Sequence, residues 1–170
     1  MMMAASWDTD QQPWWRRWII RPVINQLSAG GSPERLGWTI ATGMVLGIFP
    51  IMGSTTLLCL AAGWLLRLNQ PVLHVFRAVV YPLHLALILV FIRMGERLHG
   101  ADLIAFSIPQ LVGRFKDDPL RFASDFGLAA WHGITAWLLV APLLVIVIKV
   151  AVMPPLRAAK AKLDRGKELP

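Results

Sequence analysis

From Leu36 to Leu66 the chain runs for 31 residues without a single charge, and the run is broken near its middle by Pro50 and Gly53. A continuous α-helix of about 20 apolar residues crosses a bilayer whose hydrocarbon core is about 30 Å thick. Here Leu36 to Phe49 supplies 14 residues and Ser54 to Leu66 supplies 13, so each arm reaches roughly 20 Å at about 1.5 Å per residue. Neither arm spans alone. The pattern predicts two half-helices that meet at a Pro-Gly turn, a re-entrant hairpin whose tip must be shielded by protein or face water. Two full crossings are the competing reading, and only arm length opposes them.

With 56% hydrophobic and 16% charged residues, against roughly 25% charged in ordinary soluble domains, the chain reads as an integral membrane protein. Its 170 residues leave no room for a soluble catalytic domain beside the membrane segments. Cys59 is the only cysteine, which excludes a disulfide framework and a thiolate zinc site and makes Cys59 a packing residue. The net charge of +7 comes from cations that flank apolar segments, so anionic lipid is expected as the partner and nucleic acid is not.

Three regions follow. Residues 1–31 form a cytoplasmic tail in which the mixed Trp and Arg residues from Pro13 to Arg21 suggest an interfacial helix. Residues 32–150 form the membrane domain, with Ser32 as a helix cap and Pro33 in the first turn. Residues 151–170 form a basic cytoplasmic tail. Inside the membrane domain, Asn69 is expected to cap a helix that starts at Pro71 and crosses to about Ile92, bending near Tyr81-Pro82. A second crossing covers Leu128 to Val150, with Pro142 as a kink site. Between the two crossings, spaced Leu, Ile and Phe residues predict short amphipathic helices on a membrane surface. The fold class expected is therefore all-α: a re-entrant hairpin, two transmembrane helices and interfacial helices.

Charge orients this arrangement. Four basic residues precede Glu34–Arg35 or lie within it, and five lie in the last twenty residues, whereas the segment from Arg93 to Gly127 balances five basic against five acidic side chains. Both termini are thus expected in the cytoplasm.

The run Ser32-Pro33, Gly43, Gly47, Phe49-Pro50, Gly53, Thr55-Thr56, Arg67-Leu68-Asn69-Gln70-Pro71, then Pro82 and Gly95 resembles a bacterial membrane family, the domain of unknown function 2062, over roughly residues 32–100. This chain carries Tyr81-Pro82 where the family pattern has Asn-Pro. The resemblance implies a membrane role, and some relatives resemble modules attached to glycosyltransferases, which implies work near lipid-linked sugars.

Read from the residues, Thr39, Gly43 and Gly47 make a small-xxx-small stripe for close helix packing. Pro50 and Gly53 form the turn. Ser54, Thr55 and Thr56 stand at the start of the second half-helix, where hydroxyls cap free N–H groups or the helix end receives a phosphate. Arg77 is a cation inside a spanning segment, placed either to meet an anionic ligand or to snorkel to the interface. His74, Arg77, Tyr81 and His84 share one helical face and form a candidate headgroup-binding or proton-linked stripe. Two histidines ten residues apart with no nearby carboxylate match no metal pattern, and no cofactor is expected. Arg93, Glu96 and Arg97 read as a solvated charge cluster. No nucleotide loop, paired catalytic carboxylates, HExxH or GxSxG is present, so the chain is not expected to be an enzyme.

Two functions remain open. One is a small transporter or flippase-like protein for an anionic amphiphile such as a polyprenyl-phosphate or phospholipid, working as a homodimer with Gly43 and Gly47 among its contacts. The other is a non-transporting adaptor that holds an envelope or polysaccharide biosynthesis enzyme at the membrane.

Overall fold

The computed structural model describes residues 19–51, 53–101 and 119–168. Six helices make up the described part: α1 (Arg21–Ser28), α2 (Pro33–Gly47), α3 (Ser54–Leu65), α4 (Gln70–Val79), α5 (Tyr81–Leu98) and α6 (Pro119–Glu168). There is no strand among the described residues. The Pro13–Trp18 part of the expected interfacial helix and most of the expected amphipathic segment after Gly100 lie outside them.

Local chemistry explains the helix boundaries. Ser32 Oγ accepts from the Arg35 N–H with Pro33 in the first turn, and Asn69 Oδ1 accepts from the Val72 N–H with Pro71 in the first turn. These are the caps the sequence predicts. At the Pro50–Gly53 break the outcome differs from expectation. Gly53 itself, at φ +84°, precedes α3 and no side chain caps that end. The Ser54 hydroxyl donates back to the Ile51 carbonyl instead, and the left-handed backbone that glycine permits makes the reversal.

The packing has a clear sense of direction. Gly43 lies against Leu73 and Gly47 against Arg77 and Val80, so α2 and α4 run parallel. α3 returns antiparallel to them, with the Gln70 Nε2 donating to the Leu60 carbonyl and Thr55 meeting Arg77. α6 runs antiparallel to α2: Gly133 sits against Pro50, Trp137 Nε1 donates to the Val45 carbonyl, Gly37 faces Met153, and Lys149 and Arg157 both reach Glu34. From Glu34 to Pro50 and from Gly133 to Lys149 the same number of residues elapses, about 24 Å of helix on each side. The hairpin tip therefore stands about 24 Å from the Glu34 clasp, deeper than a halfway dip.

One core packs Val45, Ile48, Val80, Phe91, Ala136, Trp137 and Ala141, with Phe49 edge-on to Trp137 at 5.0 Å. A second joins Leu27, Leu36, Ile40, Val72 and Leu156 near the chain ends. There Lys160 donates to the Leu27 carbonyl. The segment after Val150, expected as a basic tail, is the continuation of α6 through Pro154 and Pro155 to Glu168, and it packs beside α1 and the start of α2. Likewise the Pro119–Phe126 stretch, expected as a short surface helix, forms the first turns of α6.

Among the described residues one unbroken helix, Phe126–Gly166 within α6, is long and apolar enough to cross a membrane, and only 22% of its most apolar window is buried inside the protein. The other expected crossing, Pro71 to about Ile92, is broken at Val80, where α4 and α5 meet at 68°. A bend near Tyr81-Pro82 is what the sequence predicts, because Pro82 cannot continue the hydrogen-bond ladder of α4. α5 then packs on α6 so tightly at Gly95 that a side chain there would strike the His132 backbone.

Candidate functional site

Polar side chains gather at several places in the bundle, and the first grouping centres on Arg77. Because Gly43 and Gly47 carry no side chain, α4 settles onto α2 until an added Cβ on Gly47 would lie 3.1 Å from the Arg77 Cα. Their stripe is thus occupied by α4 of the same chain, which leaves these two glycines no free face for a second copy. Across the hairpin, Arg77 Nη1 donates to Thr55 Oγ1 at 3.1 Å, and Thr55 is 6% exposed. The guanidinium reaches sideways to α3, level with its own turn, instead of back toward Asn69 and the helix start. Its Nε is buried with no hydrogen-bond partner. Among the described residues no carboxylate pairs with it.

His84, 2% exposed, is buried on α5 against the backbone of Gly47, with Nδ1 lacking a partner. The break at Val80 turns its neighbour outward: Tyr81 is half exposed, although the two rings stack with centroids 5.9 Å apart. His74 lies half-buried one turn before Arg77. The expected stripe therefore divides. Arg77, Thr55 and His84 converge with Gly47, while Thr56 and Gly53 face outward and Pro50 is buried against Gly133. What converges is one fixed cation, hydroxyl and imidazole groups, and no acid, a set suited to an anion. Among the described residues no group of three His, Cys, Asp or Glu side chains could hold a metal ion.

The second grouping was not singled out by sequence. At the end of the bundle where α1, α2 and the α3–α4 turn meet, a cleft of about 260 Å³ is lined by Gln26, Ser32, Arg35, Thr39, Arg67 and Asn69 among others. Asn69 Nδ2 donates to Gln26 Oε1 at 2.7 Å and ties α1 to the turn. Arg67 takes φ +51°, the left-handed backbone that lets two helices join across so short a turn. A signal for this cleft existed: Arg35 and Arg67 bracket the uncharged run, and a hairpin with arms of equal length must return its ends to one place.

At the far end of the bundle the reading of a solvated cluster is corrected. Glu96 is fully buried and pairs with Arg93 at 3.0 Å, because the Gly95 contact presses that turn of α5 into α6. His99 and His132 stack beside it at 4.7 Å.

At the near end Glu34 is gripped by Arg157 at 2.7 Å and Lys149 at 3.2 Å. The hydrogen bond from Arg157, then that from Lys149, holds its carboxyl below the usual carboxylate range. Lys149 also lies over the Trp38 ring at 4.4 Å.

No curated protein and no solved structure matches the chain. The family described as "Uncharacterized protein conserved in bacteria (DUF2062)" matches residues 16–162, well beyond the span on which the resemblance was read, and the chain belongs to that family.

Proposed function

We propose that this DUF2062 member is an integral protein of the bacterial inner membrane, with both termini in the cytoplasm, that handles an anionic amphiphile and moves its head group across the bilayer. The observation that carries the reading is Arg77, a half-buried cation whose Nε is enclosed and which is held to Thr55 with no acid beside it among the described residues. A charge at such depth is costly unless it meets a cavity, a partner or an anion.

Supporting observations come from the surroundings. The most apolar window of α6 is largely uncovered by protein, as expected of a helix facing lipid and unlike the core helix of a soluble domain. Charged residues mark both ends of the bundle, Glu34 with Lys149 and Arg157 at one and Arg93 with Glu96 at the other. A tip about 24 Å from the first layer stays within a hydrocarbon core of about 30 Å, which favours a hairpin that dips and returns. Pro50, Gly133 and Ile92 then form a thin seal beneath the opposite polar layer. Interrupted helices that bring polar groups to depth are a recurring device of transporters.

The test is reconstitution of the purified protein into liposomes with a fluorescent anionic lipid. Movement between leaflets above that in empty vesicles is expected, with loss in Arg77→Gln. A folded sample that moves no lipid overturns the reading. The adaptor reading draws on one feature: α6 continues past Val150 to Glu168, so its end carries Arg157, Lys160 and Lys162 at the charged layer of Glu34, beside α1. It predicts that the cellular phenotype survives Arg77→Gln and fails when residues 13–21 are deleted.

A further inference from the structure

We propose that the cleft between α1, α2 and the α3–α4 turn is a binding site for a terminal phosphate, a phosphomonoester or the free anion, distinct from the Arg77 grouping and about 12 Å above it along α4. What the lining has left to offer selects the ligand. Three side-chain oxygens there already accept a hydrogen bond: Gln26 Oε1 from Asn69, Asn69 Oδ1 from the Val72 N–H, and Ser32 Oγ from the Arg35 N–H. The Thr39 hydroxyl donates to the Arg35 carbonyl. The donors are the opposite case. The guanidinium groups of Arg35 and Arg67 have no partner among the described residues, and Gln26 Nε2 is likewise uncommitted.

A site with filled acceptors and spare charged donors calls for a ligand that only accepts, and the fork of a guanidinium fits the oxygens of a phosphate. No acidic residue lines the cleft. Its volume, about 260 Å³, lies just under the range of pockets that enclose a whole drug-sized molecule. It accommodates a head group while an attached chain leaves through the open side.

The site stands on its own geometry; only the attached lipid tail rests on the function proposed above. Native mass spectrometry of the full chain in detergent, with dioctanoyl phosphatidic acid, dioctanoyl phosphatidylcholine and inorganic phosphate as probes, tests it. Phosphatidic acid should bind, phosphatidylcholine should bind about tenfold or more weakly, and Arg35→Gln with Arg67→Gln should weaken phosphatidic acid by about tenfold or more, since several charge-assisted hydrogen bonds are lost.

Arg35→Lys with Arg67→Lys, which keeps the charge and loses the fork, should fall between parent and glutamine variant. Both arginines are exposed, so helix content and melting should be unchanged. Binding of inorganic phosphate as well identifies the free anion as a ligand; binding of the lipid alone identifies the membrane as its source. Arg77→Gln should retain this binding while losing lipid movement, which separates failure of the site from failure of the transport reading. Equal binding of phosphatidic acid by parent and glutamine variant, or equal binding of both lipids by the parent, overturns the proposal.

Discussion

Replacing Gly43 by alanine tests the packing on which the Arg77 grouping depends. An added Cβ would stand 2.5 Å from the Leu73 carbonyl oxygen, and ordinary contact begins near 3.4 Å, so α2 and α4 must part by about 0.9 Å. The obstacle is backbone, and no rotamer change relieves it. Overpacking of this kind costs about 1–3 kcal/mol, while exchange of glycine for alanine inside a helix returns about 1 kcal/mol. The net expectation is a loss of roughly 0–2 kcal/mol. Gly127 is the control: it lies in α6 with nothing within 4 Å, so Gly127→Ala should gain up to about 1 kcal/mol. At about 2–4 °C per kcal/mol for a chain of this size, the two variants should melt several degrees apart in detergent, followed by far-UV circular dichroism. Gly43→Ala melting with Gly127→Ala, or above it, would refute the reasoning.

Thr55→Val, nearly isosteric, strips the hydrogen bond that half-buried Arg77 donates to Thr55 Oγ1 and should reduce lipid movement in liposomes severalfold, whereas exposed Thr56→Val should leave it unchanged. Trp137→Phe removes the bond from Nε1 to the Val45 carbonyl at 3.2 Å and should lower stability by about 1–3 kcal/mol in thermal or denaturant unfolding. The clasp on Glu34 carries a pH dependence with a definite sign. Because the folded-state carboxyl titrates below the ordinary range, its contribution is fully present above the ordinary glutamate value, near 4.3, and is lost as pH falls through the lowered value. Tryptic cleavage in the last turns of α6, measured after brief acid exposure in the presence of salt, should therefore rise at low pH in the parent chain and be pH-independent in Glu34→Gln.

Much of the architecture could be read from local chemistry. Ser32 with Pro33 and Asn69 with Pro71 announce helix starts because the cap and the fixed φ act within one turn, and Pro82 announces the bend for the same reason. The Thr55–Arg77 contact was half legible: both residues stood out as polar in an apolar run, but no local rule brings position 55 to position 77. Three things were hidden. Glu96 looked solvated because its neighbours in sequence are charged, and only the absence of a side chain on Gly95, which lets α6 come close, buries it. The hydroxyls of Ser54–Thr56 looked like caps because they sit at a helix start, yet a glycine with positive φ leaves them turned elsewhere. The end of α6 looked like a free basic tail because charge dominates its composition, while Leu156 and Leu163, spaced seven apart, supply the apolar stripe that docks on α1.

The two polar groupings are linked by the stripe of small residues on α2. Thr39, 1% exposed, borders the cleft; Gly43 stands one turn deeper against Leu73; Gly47 stands another turn deeper against Arg77. A larger residue at any of these positions would push α4 outward, and Arg77 would then gain the freedom to turn back toward the helix start, where its charge is cheaper to hold. Close packing therefore sets where the guanidinium goes. With α4 pressed onto α2, the shortest hydrogen-bonded path for Arg77 is across to Thr55, on the arm that Gly53 has folded back. The Pro-Gly break, the glycine stripe and the half-buried cation are then parts of one device: the break supplies the returning arm, the stripe brings the cation to its level, and the hydroxyl on that arm holds it there. Removing Thr55 alone tests the last part without disturbing the first two, which is why the valine variant should leave the melting curve nearly in place while abolishing most of the lipid movement. A Thr55→Val protein that melts like its parent and moves lipid at the parental rate would show that the cation serves packing at this depth and not a passing anion.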